Sequence, residues 1–162
     1  MKRFIVIAIL GLLLASCKKF SKPTVLQELI TASVNGTGFT INQQMGYARS
    51  RLPNDTTEYF TLFGQDPSAN YMGISLQSKH SLTTGVYKQT ADSSTLLTIV
   101  FQQPGNYQYS TVYSVSDPSS ITITSIDSTS IKGTFSAILY DNGDPALDTK
   151  TLTNGTFIIS NP

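Results

Sequence analysis

The stretch "ITASVNGTGFTI", residues 30–41, constrains this chain more than any other. Two apolar runs flank Asn35-Gly36, and Gly38 follows closely. Asn-Gly between such runs marks a tight β-hairpin, because both residues accept the positive φ that the favoured turns require. The same grammar recurs to the end of the chain. "YFTLFG" and "YMGISLQ" flank "QDPSAN", a second hairpin; "LLTIVFQQ" and "YQYSTVYSV" flank "PGN", a third. "TTGVYKQ" reads as a short strand entered through Gly85, and "ITITSI" follows Asp117-Pro118. In "IKGTFSAILY", Ile131, Gly133, Phe135, Ala137 and Leu139 share one face by the two-residue period of a strand. "DNGDPALD" is the loop after it, and "TLTNGTFIIS" is a last strand in which Asn154-Gly155 marks a bulge. "RLPNDTTE" reads as a polar loop. "PTVLQELITASV" is ambiguous: Val25, Leu26, Leu29 and Ile30 suit one helical face behind Pro23, while its second half suits a strand.

These runs predict nine or ten short strands and no long helix. Serine and threonine are plentiful, charged residues make up only 13% of the chain, and Thr, Ile, Val and Tyr fit a pleated, half-buried surface. No fixed repeat and no low-complexity linker divides the chain, so residues 24–162 read as one domain. Consecutive hairpins predict an antiparallel, mostly meandering sheet. That many strands in one open sheet would leave long edges unpaired. The expected fold is therefore all-β, either a two-sheet sandwich or a flattened barrel.

The first residues do something else. Met1-Lys2-Arg3 is a basic start, and Phe4 to Leu14 carries no charged or polar side chain. Small residues follow, which is the pattern of an export signal. Crossing a bilayer takes about 20 apolar residues. Phe4 to Ser16 is thirteen, closed by Lys18 and Lys19. Leu14-Ala15-Ser16-Cys17 resembles the bacterial lipobox, which implies a signal peptide at 1–16 and a lipid on the Cys17 sulfur. The alternatives are an ordinary secretory signal with a coincidental cysteine, or an uncleaved anchor. Each buried methylene contributes about 0.8 kcal/mol, so two or three acyl chains would hold the protein to a membrane. Residues 17–23 read as the lipidated tether. Its Lys18, Lys19 and Lys22 could meet anionic headgroups, though a solvated linker is the plainer reading.

Removing sixteen residues from 162 leaves 146, enough for one real core. Without Lys2 and Arg3, nine basic and ten acidic residues remain. That balance argues against nucleic acid as a partner. Cys17 is the only cysteine, so no disulfide is available to the domain.

The lipobox, followed in order by "ASVNGTGF", "TTGVY", "ITITSIDSTSIKGTFSAILY" and "LTNGTFIIS", resembles small all-β lipoproteins of Bacteroidota whose single domain has no assigned activity. The resemblance covers most of Leu29 to Ser160. It implies an outer-membrane lipoprotein of the cell envelope and brings no catalytic residue. In that group, proteins bound for the cell surface often carry acidic residues just after the cysteine. Lys18-Lys19-Phe20-Ser21-Lys22 departs from this and favours the periplasmic side.

Enzymatic chemistry finds little footing. His80 is the only histidine, in the polar run "QSKHSLTT", and no G-x-S-x-G elbow is present. Zinc usually draws on several His and Cys residues. A carboxylate pair would have to come from Glu28, Glu58 or aspartates that read as turn residues: Asp55, Asp66, Asp92, Asp117, Asp127, Asp141, Asp144 and Asp148. In "DNGDPALD" the spacing departs from a calcium loop, with Ala146 at its sixth position and Leu152 at its twelfth. No catalytic residue, metal site or cofactor is expected. One set suggests a ligand face: Tyr107, Tyr109 and Tyr113 alternate along "YQYSTVYSV" and could stack on sugar rings or apolar ligands, although a half-buried row is the plainer reading. The expected role is a non-catalytic binding or structural envelope protein with a protein or glycan partner. The alternative is a lipocalin-like carrier of a small apolar ligand.

Overall fold

The computed structural model describes residues 29–51, 56–105, 107–112, 114 and 116–160. Residues 1–16, read above as a signal peptide, and 17–23, read as a tether with Cys17, lie outside the described residues. Eleven strands are described: β1 (Leu29–Val34), β2 (Thr37–Ile41), β3 (Gln43–Arg51), β4 (Glu58–Gln65), β5 (Tyr71–Ser78), β6 (Gly85–Tyr87), β7 (Thr95–Gln103), β8 (Tyr107–Ser110), β9 (Ser120–Ile126), β10 (Ser130–Asp141) and β11 (Thr149–Ser160). Every pairing is antiparallel. Nine strands follow one path, β2-β1-β11-β10-β8-β7-β5-β4-β3, while β9 pairs with β10 and β6 pairs with β9. The path runs through local hairpins, and it nearly closes into a barrel. Its two end strands, β2 and β3, are consecutive in sequence and joined by Asn42 alone, whose N–H donates to the Gln65 carbonyl at 3.2 Å.

The Asn-Gly turn behaves as its chemistry demands. Asn35 and Gly36 have φ of 48° and 83°, the double positive value of a two-residue hairpin. Thr151 docks this turn, donating its N–H to Asn35 Oδ1 at 2.8 Å. The Asn154 bulge is also present. Asn154 has φ 52°, and pairing slips there on both sides of β11, against β10 and against β1.

The all-β antiparallel fold of about nine or ten strands is as expected: nine strands form the main path. The total is eleven, with β3, which carries no clean apolar alternation, as the strand not read from sequence. Its inward positions hold Met45 and Tyr47 but then Arg49 and Arg51, opposite Phe60 and Glu58 of β4. The "YQYSTVYSV" strand stops at Ser110. Beyond it the Thr111 hydroxyl accepts from the Ile99 N–H at 3.1 Å, so a side chain serves the β7 backbone where a strand would have run.

The interior is filled by side chains from both walls. Ile30, Phe60, Leu62, Met72, Leu76, Ile99, Leu139 and Leu152 are among the fully or almost fully buried residues. Phe60 of β4 meets Phe157 of β11 across the middle, ring centroids 5.7 Å apart. Phe39 of β2 meets Phe101 of β7 at 5.3 Å. Burying each such side chain contributes about 1.5–3 kcal/mol. At one end Leu82 tucks under the barrel, its N–H donating to Glu58 Oε2 at 2.7 Å. Where β10 changes neighbour from β9 to β8, the buried Ser119 hydroxyl accepts from the Ile138 N–H at 3.3 Å. Asp117 fixes this patch by accepting from the Ser119 N–H at 2.7 Å and the Val112 N–H at 3.2 Å.

Candidate binding surfaces

The register of β3, β4, β5, β7 and β8 determines what their outward side chains present to solvent. One row across all five strands is Gly46, Phe63, Gly73, Val100 and Ser110. The next is Gln65, Tyr71, Gln102 and Gln108. On the other side come Ala48, Thr61, Ser75 and Thr98, then Ser50, Tyr59, Gln77 and Leu96. None of these four rows contains an ionisable carboxylate, lysine or arginine.

Phe63 and Tyr71 are the two rings of this wall that meet each other. Their rings lie 6.3 Å apart, centroid to centroid, with 28° between their planes. Each ring lies over a glycine. A Cβ on Gly46 would run into the end of the Phe63 ring, and one on Gly73 would meet the Tyr71 hydroxyl at 3.0 Å. Glycine inside a strand often marks such a close approach. Phe63 remains 39% exposed. Partial burial raises the Tyr71 phenol pKa above its ordinary value. Beside the rings runs an open depression of about 400 Å³, bordered by Thr61, Ser75, Thr98, Gln102 and Gln108. The side-chain amides of Gln102 and Gln108 make no hydrogen bond to a described residue.

A second depression, about 480 Å³, lies on the opposite wall where β11 bulges. Ser120, Thr122, Thr134, Ser136, Asn154 and Thr156 border it. Here hydroxyls meet one another: Thr31 with Thr156 at 2.7 Å and Ser120 with Ser136 at 3.4 Å. Thr124 donates to the Lys132 carbonyl at 3.2 Å. A third hollow, about 240 Å³, sits at the turn-bearing end between Phe39, Asn70, Phe101 and Lys150.

The most buried charge lies at the other end. Glu58 is 6% exposed, is paired with Arg49 and also holds the Leu82 backbone. The neighbouring Tyr47 hydroxyl is buried without a hydrogen-bond partner. Burial raises the Tyr47 pKa, with Arg49 pulling it down and Glu58 adding to the rise. Both carboxylate oxygens of Glu58 thus hold structure, one on Arg49 and one on the Leu82 backbone.

The tyrosine set separates. Tyr109 is buried at 7% exposure, under the Lys150 Nζ at 4.2 Å from its ring centre, and its hydroxyl donates to Asp148 Oδ2 at 3.4 Å. Tyr107, two residues earlier on the same side of β8, projects past the barrel rim and is 62% exposed. Tyr113 lies outside the described residues, as do Glu28 and Asp55. His80 is exposed in the loop after β5. Asp66, Asp92, Asp117, Asp127 and Asp144 all accept hydrogen bonds from nearby backbone N–H groups, which is turn chemistry. Among the described residues, no three His, Cys, Asp or Glu side chains gather as a metal site would require. The Phe63–Tyr71 pair was not singled out from sequence. Its signal is there in Gly46 and Gly73, strand glycines opposite an aromatic, but reading it needs the register of three strands.

Comparison with protein-family models, with curated proteins and with solved structures finds no match to the chain.

Proposed function

We propose that this protein is a non-catalytic binding domain held at the outer membrane by lipid on Cys17, facing the periplasm. One observation carries the binding part: the barrel-like shell is packed with its own side chains, while one outer wall is uncharged across five strands and bears an exposed Phe63 ring beside a half-buried Tyr71 ring. The lipobox and the ordered resemblance to Bacteroidota lipoproteins support the anchor, and Lys18-Lys19 supports the periplasmic side. The Glu58 and aspartate hydrogen bonds support a non-catalytic role, since these groups already hold backbone and arginine.

A barrel-like shell is also compatible with a lipocalin-like carrier. Phe60 against Phe157 in the middle, and Leu82 beneath, weigh against a ligand space inside. Two measurements test the proposal. A clickable fatty acid should label the wild-type chain in cells and leave Cys17→Ala unlabelled; equal labelling refutes the anchor. Solvent extraction of the purified protein, followed by mass spectrometry, should release no stoichiometric apolar molecule; one that co-purifies mole for mole establishes the carrier instead.

A further inference from the structure

We infer that the Phe63–Tyr71 face binds a neutral polysaccharide, with successive sugar rings lying on the two aromatic rings. This deepens the binding-domain reading and rests on it. Aromatic faces carry partial negative charge. The C–H groups on one face of a pyranose carry the opposite sign, so a sugar ring stacks flat where its edge hydroxyls can still find partners. The planes of the two rings are within 28° of parallel, and their centres lie 6.3 Å apart, so neighbouring sugars of one chain can each meet a ring. Gly46 and Gly73 keep the surface beneath them flat.

Ring-over-glycine packing alone would suit strand stability. Two further observations point to a ligand. Phe63 keeps 39% of its surface open. The Gln102 and Gln108 amides, beside Tyr71 in the same register row, offer donors and acceptors that no described residue engages. Amides and hydroxyls in the plane of a stacked ring match the hydroxyls of a sugar. An acidic or basic peptide would find no counter-charge in the four rows.

The test uses the full-length lipidated chain in detergent micelles and an array of immobilised neutral polysaccharides: xyloglucan, glucomannan, mixed-linkage β-glucan, dextran, pullulan and yeast mannan. Alginate and polygalacturonate serve as anionic probes. At least one neutral polysaccharide should be retained, and the anionic probes should not. Replacing both rings, Phe63→Ala with Tyr71→Ala, should weaken retention about tenfold or more. Gln102→Ala with Gln108→Ala, two surface changes that leave the core intact, should weaken it as well, which keeps the test decisive if the ring variant folds poorly. Retention by no neutral probe, unchanged retention in both double variants, or preference for the anionic probes overturns the assignment. A failed array alongside Cys17 labelling and no extracted ligand removes the glycan and leaves the binding domain. An extracted stoichiometric ligand removes the binding-domain reading itself.

Discussion

The two outer walls of this barrel are built from the same kinds of strand and end up with different surfaces. The wall of β9, β10, β11 and β1 carries the larger hollow, about 480 Å³, and several of its hydroxyls are engaged with each other or with backbone, as in Thr31–Thr156, Ser120–Ser136 and Thr124–Lys132. The wall of β3, β4, β5, β7 and β8 has a slightly smaller hollow, about 400 Å³, bordered by Tyr71 and by the Gln102 and Gln108 amides, with the Phe63 ring beside it. On this second wall the Thr61–Ser75 contact, at 3.4 Å, resembles the hydroxyl ladder of the first. Volume therefore does not rank the two surfaces. What a ligand can use is hydrogen-bonding capacity and ring area that the fold has not already satisfied.

The largest expected effect tests whether the walls stand or fall together. Phe157 touches Phe60 on one side and Phe135 on the other. Phe157→Ala should destabilise the protein by about 3–5 kcal/mol. Hydrogen exchange should show β4 and β10 losing protection in step, and loss confined to β10 would make the walls independent units. Next come two glycines. A Cβ on Gly155 would sit 2.5 Å from the Phe135 carbonyl, so backbone must move, and Gly155→Ala should cost about 2–3 kcal/mol by chemical denaturation. Gly46→Ala meets only the end of an exposed Phe63 ring, which can swing out. Its cost should stay below about 1 kcal/mol, while retention on the neutral polysaccharide falls. Equal costs at the two positions would erase the distinction between a structural and a ligand-facing wall.

A smaller effect is expected in the threonine ladder. Thr156→Val removes one partner of the Thr31 hydroxyl at an exposed site and should lower stability by about 0.5–1 kcal/mol, with polysaccharide retention unchanged. Changed retention would place the ligand on the wrong wall. The smallest effect concerns pH. Asp127 turns β9 into β10, and Asp92 precedes β7 on the other wall. Hydrogen bonds from Thr129 to Asp127, and from Ser94 to Asp92, lower both carboxyls to about 2. A carboxyl depressed in the folded state stabilises above its unfolded pKa, near 4, and that stability is lost as pH falls from about 4 through 2. Thermal melts should show this decline on acidification, and Asp127→Asn should flatten part of it. A variant that follows the wild-type curve would show that the turn bonds contribute nothing measurable.

The hairpin grammar was legible because its turns are chemical: Asn35, Gly36 and Asn154 adopt the positive φ that few other residues accept. β10 was legible because its inward positions alternate without a break. β3 was not, since it closes the end of the barrel and places Arg49 and Arg51 where a core strand would hold apolar residues. Tyr107 and Tyr109 share a side of β8, and sequence cannot say that the barrel rim falls between them. The candidate site was illegible for a related reason. Phe63 and Tyr71 are recognisably strand residues, but Gly46 and Gly73 reach them only through pairing.

One connection has a consequence for how the chain reaches this state. β1 pairs with β11, and Thr31 bonds a residue 125 positions away. The earliest described strand thus acquires its second neighbour only when the latest one arrives. Contacts of such long range slow folding, because loop closure precedes the reward. Until then β1 and β10 each present an open edge to any passing strand. A chain stalled or clipped before β11 would be an aggregation hazard rather than a partly working protein, so this domain's quality control depends on its last dozen residues.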